Sequence, residues 1–441
     1  MTPALIGPAR DGVSGRTGVP HSKPHMQRAL LLSLLANAPS SIVNPAWSSE
    51  AESLFASLRE FGLDVTGQDP GTLHLSGVGK SVKPSGATAS VVGSAFNFRA
   101  MAAVACLSRN DTVLEGNASM LRRPVAEYLG FVRELGGSLS DISDAGHLRL
   151  RIHGGGRLAG TATVDTRHSS QVLTSVLLIA PLADGPVRIR CTTDDAVGEG
   201  YIALTESMMR RQGALIEREG SSFLVRPSAY DAHVHELASD FTALSYLAGA
   251  VATAPHGSVT VAGYYPSEFS SEREFLTVLE QLGIRTTYDP VERSLRIDKG
   301  VPAARHIRID GHNIPTVVPT LAAIAPFVEA RVTLRNAAHV NNHKCRRVEV
   351  MIRELTRMGC RIEATHDGDG RVDGFTTSGR QTPAGDTTLD SHGDHRIFLS
   401  LATAALGAAR PCLIDGAQHL HASFPEFLTS LHTLGADIHS V

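Results

Sequence analysis

The sequence predicts an α/β protein of two domains, assembled from six copies of one helix-and-strand unit, and three observations carry that prediction. The 441 residues exceed what one hydrophobic core ordinarily serves, and 42% of them are hydrophobic against 19% charged. Six helical segments end in an apolar residue followed closely by glycine, at a near-constant spacing. Long apolar helices alternate throughout with strands of period-two patterning.

The glycines stand in Phe61-Gly62, Leu135-Gly136, Arg211-Gln212-Gly213, Leu282-Gly283, Met358-Gly359 and Leu434-Gly435, at steps of 74, 77, 70, 76 and 76 residues. Chance placement of helix-ending glycines would not keep that spacing. Each unit contains a helix rich in Ala and Leu, over 28–38, 98–109, 170–183, 242–254, 316–330 and 395–409. These helices are apolar on nearly every side, which predicts that they lie inside a shell of sheet and shorter amphipathic helices. A strand follows each, over 41–44, 112–115, 187–190, 259–261, 332–335 and 412–415. Dividing six units three and three puts one domain at 22–237 and the other at 1–21 plus 238–441, with the lead-in returning to the C-terminal half and a ligand cleft between the two.

The bulk chemistry narrows the function. A formal net charge of −3 excludes a general nucleic-acid binder. The longest apolar runs, such as 172–183, fall short of the ~20 residues that span a bilayer, and no apolar signal core opens the chain. The expectation is a cytoplasmic monomer without nucleic-acid or membrane partners. Cys106, Cys191, Cys345, Cys360 and Cys412 have no CxxC spacing, so no disulfide framework, metal or cofactor is expected. Gly154-Gly155-Gly156 lacks the spacing of a phosphate-binding fingerprint and reads as a turn.

Charge gathers at the predicted helix starts. Lys23 and Arg28 open the first long helix, Ser169, Ser170 and Gln171 the third, and His395 and Arg396 the sixth. A helix N-terminus carries unpaired N–H groups and about half a positive charge, so several such ends with added cations make an anion site. The expected partner is a small anionic molecule carrying carboxylate or phosphate, with closure of the domains on it. Arg346-Arg347 reads as a charge run on a solvated helix face.

Ordered motifs strengthen this reading. They are His21-Ser22-Lys23-Pro24-His25-Met26-Gln27-Arg28-Ala29-Leu30-Leu31, Arg122-Arg123-Pro124, Ser169-Ser170-Gln171-Val172-Leu173 with Tyr201-Ile202, Asp394-His395-Arg396 and Ser423-Phe424-Pro425. In sequence and spacing the chain resembles the enolpyruvyl transferase family over nearly its whole length. The resemblance implies two inside-out α/β barrels of three units each. It also implies an acceptor pocket at Lys23, Arg28, Ser169, Ser170, Gln171, Tyr201 and Lys344, and a phosphoenolpyruvate side at Lys23, Arg123, Gln171 and Arg396.

The family pattern breaks at four places. Ile314-Pro315-Thr316 stands where the family has Pro-Asp, and Lys344-Cys345-Arg346-Arg347-Val348 where it has Lys-Glu-x-x-Arg. Ala422 replaces a lysine, and bulky Phe96 falls where a small polar residue would sit. Each lost general acid or base typically costs about 10²–10⁴-fold in rate. The expectation is therefore an enzyme of this fold doing elimination, isomerisation or cyclisation on a small anion in a biosynthetic pathway, with Lys23, His395, Lys344 and Cys345 as its catalytic groups. The Cys345 thiol would titrate if flanked by Lys344 and Arg346. The alternatives are enolpyruvyl transfer to a shikimate-like or other acceptor, with Glu199, Glu236 or Asp240 as replacement acids, and a non-catalytic anion-binding protein.

Overall fold

The structure, a computed structural model, describes residues 3–84, 86, 88–91, 94–121, 129–268 and 270–440. Its first local regularity is the helix end. Gly62, Gly136, Gly213, Gly283, Gly359 and Gly435 all have positive φ, from 82° to 108°, the left-handed conformation that turns a chain out of a helix. After each, the chain enters a strand or hairpin.

Among the described residues six four-stranded sheets result, all with one pattern of parallel and antiparallel pairing. In the third, Gly160–Val164 runs parallel to Val187–Cys191 across the helix Gln171–Ile179. The amphipathic helix Glu199–Arg211 follows, and a hairpin of Leu215–Glu219 and Ser222–Arg226 completes the sheet antiparallel. Three sheets take strands from distant sequence. Val234–Glu236 pairs parallel with Ser40–Val43, and Val13–Thr17 with Gly257–Ala262. Pro3–Ile6 pairs antiparallel with both Cys412–Asp415 and Ile438–Ser440, so the N-terminus completes the sixth sheet.

Contacts divide the chain into two compact units, residues 21–237 and residues 1–20 with 238–441. Among the described residues each unit holds three α-helices buried along nearly their whole length. In the first they are Lys23–Leu35, Ala95–Ala105 and Gln171–Ile179; in the second, Phe241–Thr253, Val318–Ile324 and His395–Ala405. The fifth starts and ends inside its predicted span, because Pro319 sets its first turn and Pro326 turns the chain into a short 3₁₀ segment, Ala325–Phe327.

Helices wet on no side can approach closely only through small residues. A Cβ on Gly249 would lie 2.5 Å from Thr403 Cγ2 and 3.4 Å from Thr320 Cγ2, so the fourth buried helix lies against the fifth and sixth where it has no side chain. Buried hydroxyls there find partners across the helices, Ser245 with Thr320 at 2.9 Å and Thr253 with the carbonyl of Thr403 at 3.0 Å. Among the described residues no helix is long and apolar enough to cross a membrane.

Candidate functional site

The expected site residues fall into two sets, one in each unit. In 21–237, N-terminal turns of the three buried helices meet through side chains. Gln27 donates to Asn97 Oδ1 at 2.7 Å, Arg28 to Thr174 Oγ1 at 3.4 Å, and Arg99 to Gln171 Oε1. Ser22 and Ser94 cap the first two helices with their hydroxyls. Ser170 stands at the start of the third, buried, with no side-chain cap bond, while Ser169 Oγ accepts from Gln171 N at 3.2 Å. Three aligned helix starts in one place make a preorganised positive site.

Lys23 is the first residue of its helix, and its ammonium lies 2.8 Å from Glu50 Oε2, each side chain under 15% exposed. Glu50 is a site carboxylate that sequence reasoning missed. Its backbone carbonyl accepts from Asn97 Nδ2 at 2.7 Å, which fixes the acid's own helix against the second buried helix.

Arg28 lies in the early turns of the first buried helix, as expected, but is buried among partners of its own. It is 3% exposed and donates to Thr205 Oγ1 at 2.7 Å, Pro24 O at 2.9 Å, Thr174 Oγ1 and Tyr201 O. Its guanidinium also lies 5.3 Å from the Phe96 ring centroid and 5.8 Å from that of Tyr201. Bulky Phe96 is therefore part of the cage around this cation. Burial pulls the Arg28 pKa down to about 10, so the group stays charged near neutrality. With most of its donors engaged, Arg28 orders the walls of the site. Gly198, at φ 76°, brings Tyr201 to Ser170: a Cβ there would lie 3.1 Å from Ser170 Oγ and 3.1 Å from Tyr201 Cδ2. Arg123 lies outside the described residues.

In the second unit Asp394 is the centre. It caps the sixth buried helix, accepting from Arg396 N at 2.9 Å, and its other oxygen accepts from Arg347 Nε at 2.8 Å in an ion pair 6% and 0% exposed. Burial alone would raise this carboxyl's pKa; the charges of Arg347 and His395, with the hydrogen bonds, outweigh it and hold the group well below the usual carboxylate range. His395 is buried, its Nδ1 3.9 Å from Asp394 Oδ1. Arg396 reaches the carbonyl of Thr316 at 3.5 Å, and the Thr316 hydroxyl accepts from Thr242 at 3.2 Å. Turns at the starts of the fourth, fifth and sixth buried helices thus meet in this unit as well.

Two expectations are corrected here. Arg347 does not lie on a solvated face: it points inward, while Arg346 is exposed and pairs with Glu349 at 2.7 Å. The helical period carried the missed signal, since Arg347, Met351, Glu354 and Met358 are all buried along one stripe of Arg347–Met358. Cys345 is not an activated thiol. Burial first, and then the Asp394 carboxylate, push its pKa up to about 12, and it donates to Asp394 Oδ2 at 3.9 Å. Lys344 and Arg346 cannot offset a negative group in direct contact.

Lys344 is exposed. Among the replacement acids, Asp240 caps the fourth buried helix through Thr242 N at 2.8 Å and Ala243 N at 3.1 Å. Glu199 pairs with Arg218 at 2.7 Å, and Glu236 is exposed on an edge strand.

The family described as EPSP synthase (3-phosphoshikimate 1-carboxyvinyltransferase) matches residues 9–431. A 3-phosphoshikimate 1-carboxyvinyltransferase of Methanoculleus marisnigri is 31% identical over 423 residues, covering 94% of this chain and 96% of that one. One from Methanothrix thermoacetophila is 29% identical over 436 residues, covering 98% and 99%. Among solved structures, an EPSP synthase of Acinetobacter baumannii superposes with a TM-score of 0.82 at 21% identity over the full length of both chains, a likeness of fold.

Proposed function

Because this chain belongs to the EPSP synthase (3-phosphoshikimate 1-carboxyvinyltransferase) family, we propose that it transfers the carboxyvinyl group of phosphoenolpyruvate to 3-phosphoshikimate or a close analogue. The observation that carries this reading is a family match running through both units, with relatives of that one printed activity covered over almost their whole length. It displaces elimination, isomerisation or cyclisation as the leading chemistry. The same reading takes the three sheets of each unit as the walls of an inside-out barrel.

The site geometry supports a division of labour. In 21–237 the three helix starts, Ser169, Ser170, Gln171 and Lys23 favour a phosphorylated or carboxylated ligand over water. Transfer needs a proton delivered to the methylene carbon of phosphoenolpyruvate and one removed from the acceptor hydroxyl. Thr316 and Cys345 do not titrate near neutral pH, and Glu50 beside Lys23 is the carboxyl we assign to that proton work. In the other unit, Arg396 adds a cation at a helix start whose cap, Asp394, is kept ionised by Arg347.

The test is incubation with phosphoenolpyruvate and shikimate 3-phosphate, following inorganic phosphate and the mass of the carboxyvinyl product. Turnover on the order of 1 s⁻¹ or more is expected, with Lys23→Met slower by the roughly 10²–10³-fold typical of losing one preorganised donor. Binding of both compounds with no product would return the chain to a different reaction on the same class of anion, the reading that Thr316 and Cys345 favour.

A further inference from the structure

Thr242 and Asp240 stand at one end of the fourth buried helix; at the other, about 20 Å away for a helix of 13 residues, the second unit holds a cavity of about 310 Å³. Its walls divide by chemistry. Leu282, Ile284 and Phe327 give an apolar side, each under 5% exposed to solvent. Lys299, Arg380 and Glu329 give a charged side.

Lys299 is anchored. Its ammonium donates to the carbonyls of Ala252, at 2.7 Å, and Ala254, groups at the helix end that no further turn takes up. An ammonium has three N–H bonds, and two are spent on that wall, which leaves the third for the cavity. Arg380 approaches Glu329 only to 3.7 Å, outside hydrogen-bond length, with its side chain 36% exposed. A third cation stands close by, since a Cβ on Gly300 would lie 3.5 Å from Arg285 Nε. His256 also lines the space. Among the lining residues one carboxylate thus faces two cations, while Arg285 stands opposite Asp298, its cross-strand partner. Burial first, and then the Arg380 charge, bring the Lys299 pKa down to about 8 against the opposing pull of Glu329.

We propose that this cavity is a second ligand site, which takes a small carboxylate with an apolar body: the carboxylate sits between Lys299 and Arg380, and the body lies against Leu282, Ile284 and Phe327. The volume suits a single-ring compound, at the small end of ligand pockets. The assignment does not depend on the proposed reaction, whose residues lie elsewhere.

Benzoate is the probe, titrated into the full chain by calorimetry, with ring-proton contacts to Phe327 read by nuclear magnetic resonance. Benzoate is expected to saturate one site showing those contacts, and neutral benzamide to bind about tenfold more weakly or worse, the size of a lost charge-assisted hydrogen bond. Arg380→Gln should weaken benzoate and Glu329→Gln should tighten it, each by about two- to fivefold, as for a partly exposed charge pair. Lys299→Met removes a helix-end anchor and is read only if its unfolding midpoint is unchanged; the other two variants carry the test. Benzamide binding as well as benzoate, inorganic phosphate displacing benzoate at equal concentration, no contact to Phe327, or the two variants failing to move in opposite directions would each overturn the proposal.

Discussion

Arg347 and Cys345 share one partner, the buried carboxylate of Asp394, and the partnership sets different consequences for the two side chains. Removing the Arg347 charge leaves Asp394 ionised in a place without water, and breaking one side of a buried pair costs about 3–5 kcal/mol. Arg347→Met should lower the urea midpoint accordingly, while an Asp394→Asn, Arg347→Met double variant should recover part of the loss. A loss under ~1 kcal/mol, the worth of an exposed pair, would show that water reaches the site. For Cys345 the expected outcome is near silence. With its pKa at about 12, almost no thiolate exists at pH 7.5, so Cys345→Ser should keep most of the activity and iodoacetamide should label the native thiol far more slowly than a free cysteine. Rapid labelling together with loss of turnover would reinstate it as a reactive group. Sequence reasoning singled out His395 and Arg396, with Asp394 beside them, because they sit in one contiguous motif at a helix start. It missed Glu50 and misplaced Arg347 because their roles come from pairing across 27 and 47 residues, which no local spacing encodes.

The elements most legible in the sequence were those whose signal is local. Glycines at the helix ends showed as a spaced series because only glycine takes positive φ cheaply, and the strands showed through period-two patterning. Helix starts were less legible. The second buried helix begins at Ala95, three residues before the expected start, because Ser94 caps it, and a serine that follows a glycine looks like loop. Least legible was why helices apolar all round should pack as threes. Gly249 supplies part of the answer, being a point on the fourth buried helix where a side chain would collide with Thr403. Gly249→Ala forces a methyl to within 2.5 Å of Thr403 Cγ2 unless the helices part, and overpacking of this kind costs about 1–3 kcal/mol, more than the helix propensity that alanine gains over glycine. Thermal unfolding should therefore show a destabilised protein. Thr403→Ser, which removes the opposing methyl, should restore stability in the Gly249→Ala background more than it helps the parent chain; equal effects in both backgrounds would mean that this contact is not what limits the packing.

At the scale of the whole chain, desolvated titrating groups set opposing responses to acid: histidines held neutral, which in the second unit include His343, brought well below its ordinary value first by desolvation, and against them Glu272. Unit 21–237 buries histidines in neutral form. Burial, then Arg28, Arg211 and His233, bring His25 down to about 4; burial, then His233 and His25, bring His235 to about 3, with the His233 and His235 rings 4.8 Å apart. An unfolded histidine takes up its proton near pH 6.5. Between that value and about 4 the unfolded chain holds protons that the folded unit refuses, so stability falls as the pH falls, by about 1.4 kcal/mol per pH unit for each histidine. The second unit buries Glu272, bonded to Tyr264 and to Ser267 N, and burial raises its pKa to about 7. A carboxyl raised in the folded state contributes its full stability below the unfolded value near 4.3 and loses it as the pH rises through about 7, so this group favours the folded unit on acidification. Two units of some 200 residues with separate cores are each large enough to unfold cooperatively. Calorimetry should therefore show transitions that separate as the pH is taken from 7.5 to 5, with the 21–237 transition moving to lower temperature. His235→Phe keeps a ring against His233 and removes one titrating group, so it should shift that transition upward at pH 5 more than at pH 7.5. Glu272→Gln should raise the other transition at pH 7.5 and leave it nearly unchanged at pH 5. Transitions that stay together across the range, or a His235→Phe effect independent of pH, would mean that proton uptake by the buried histidines is not what limits the first unit in acid.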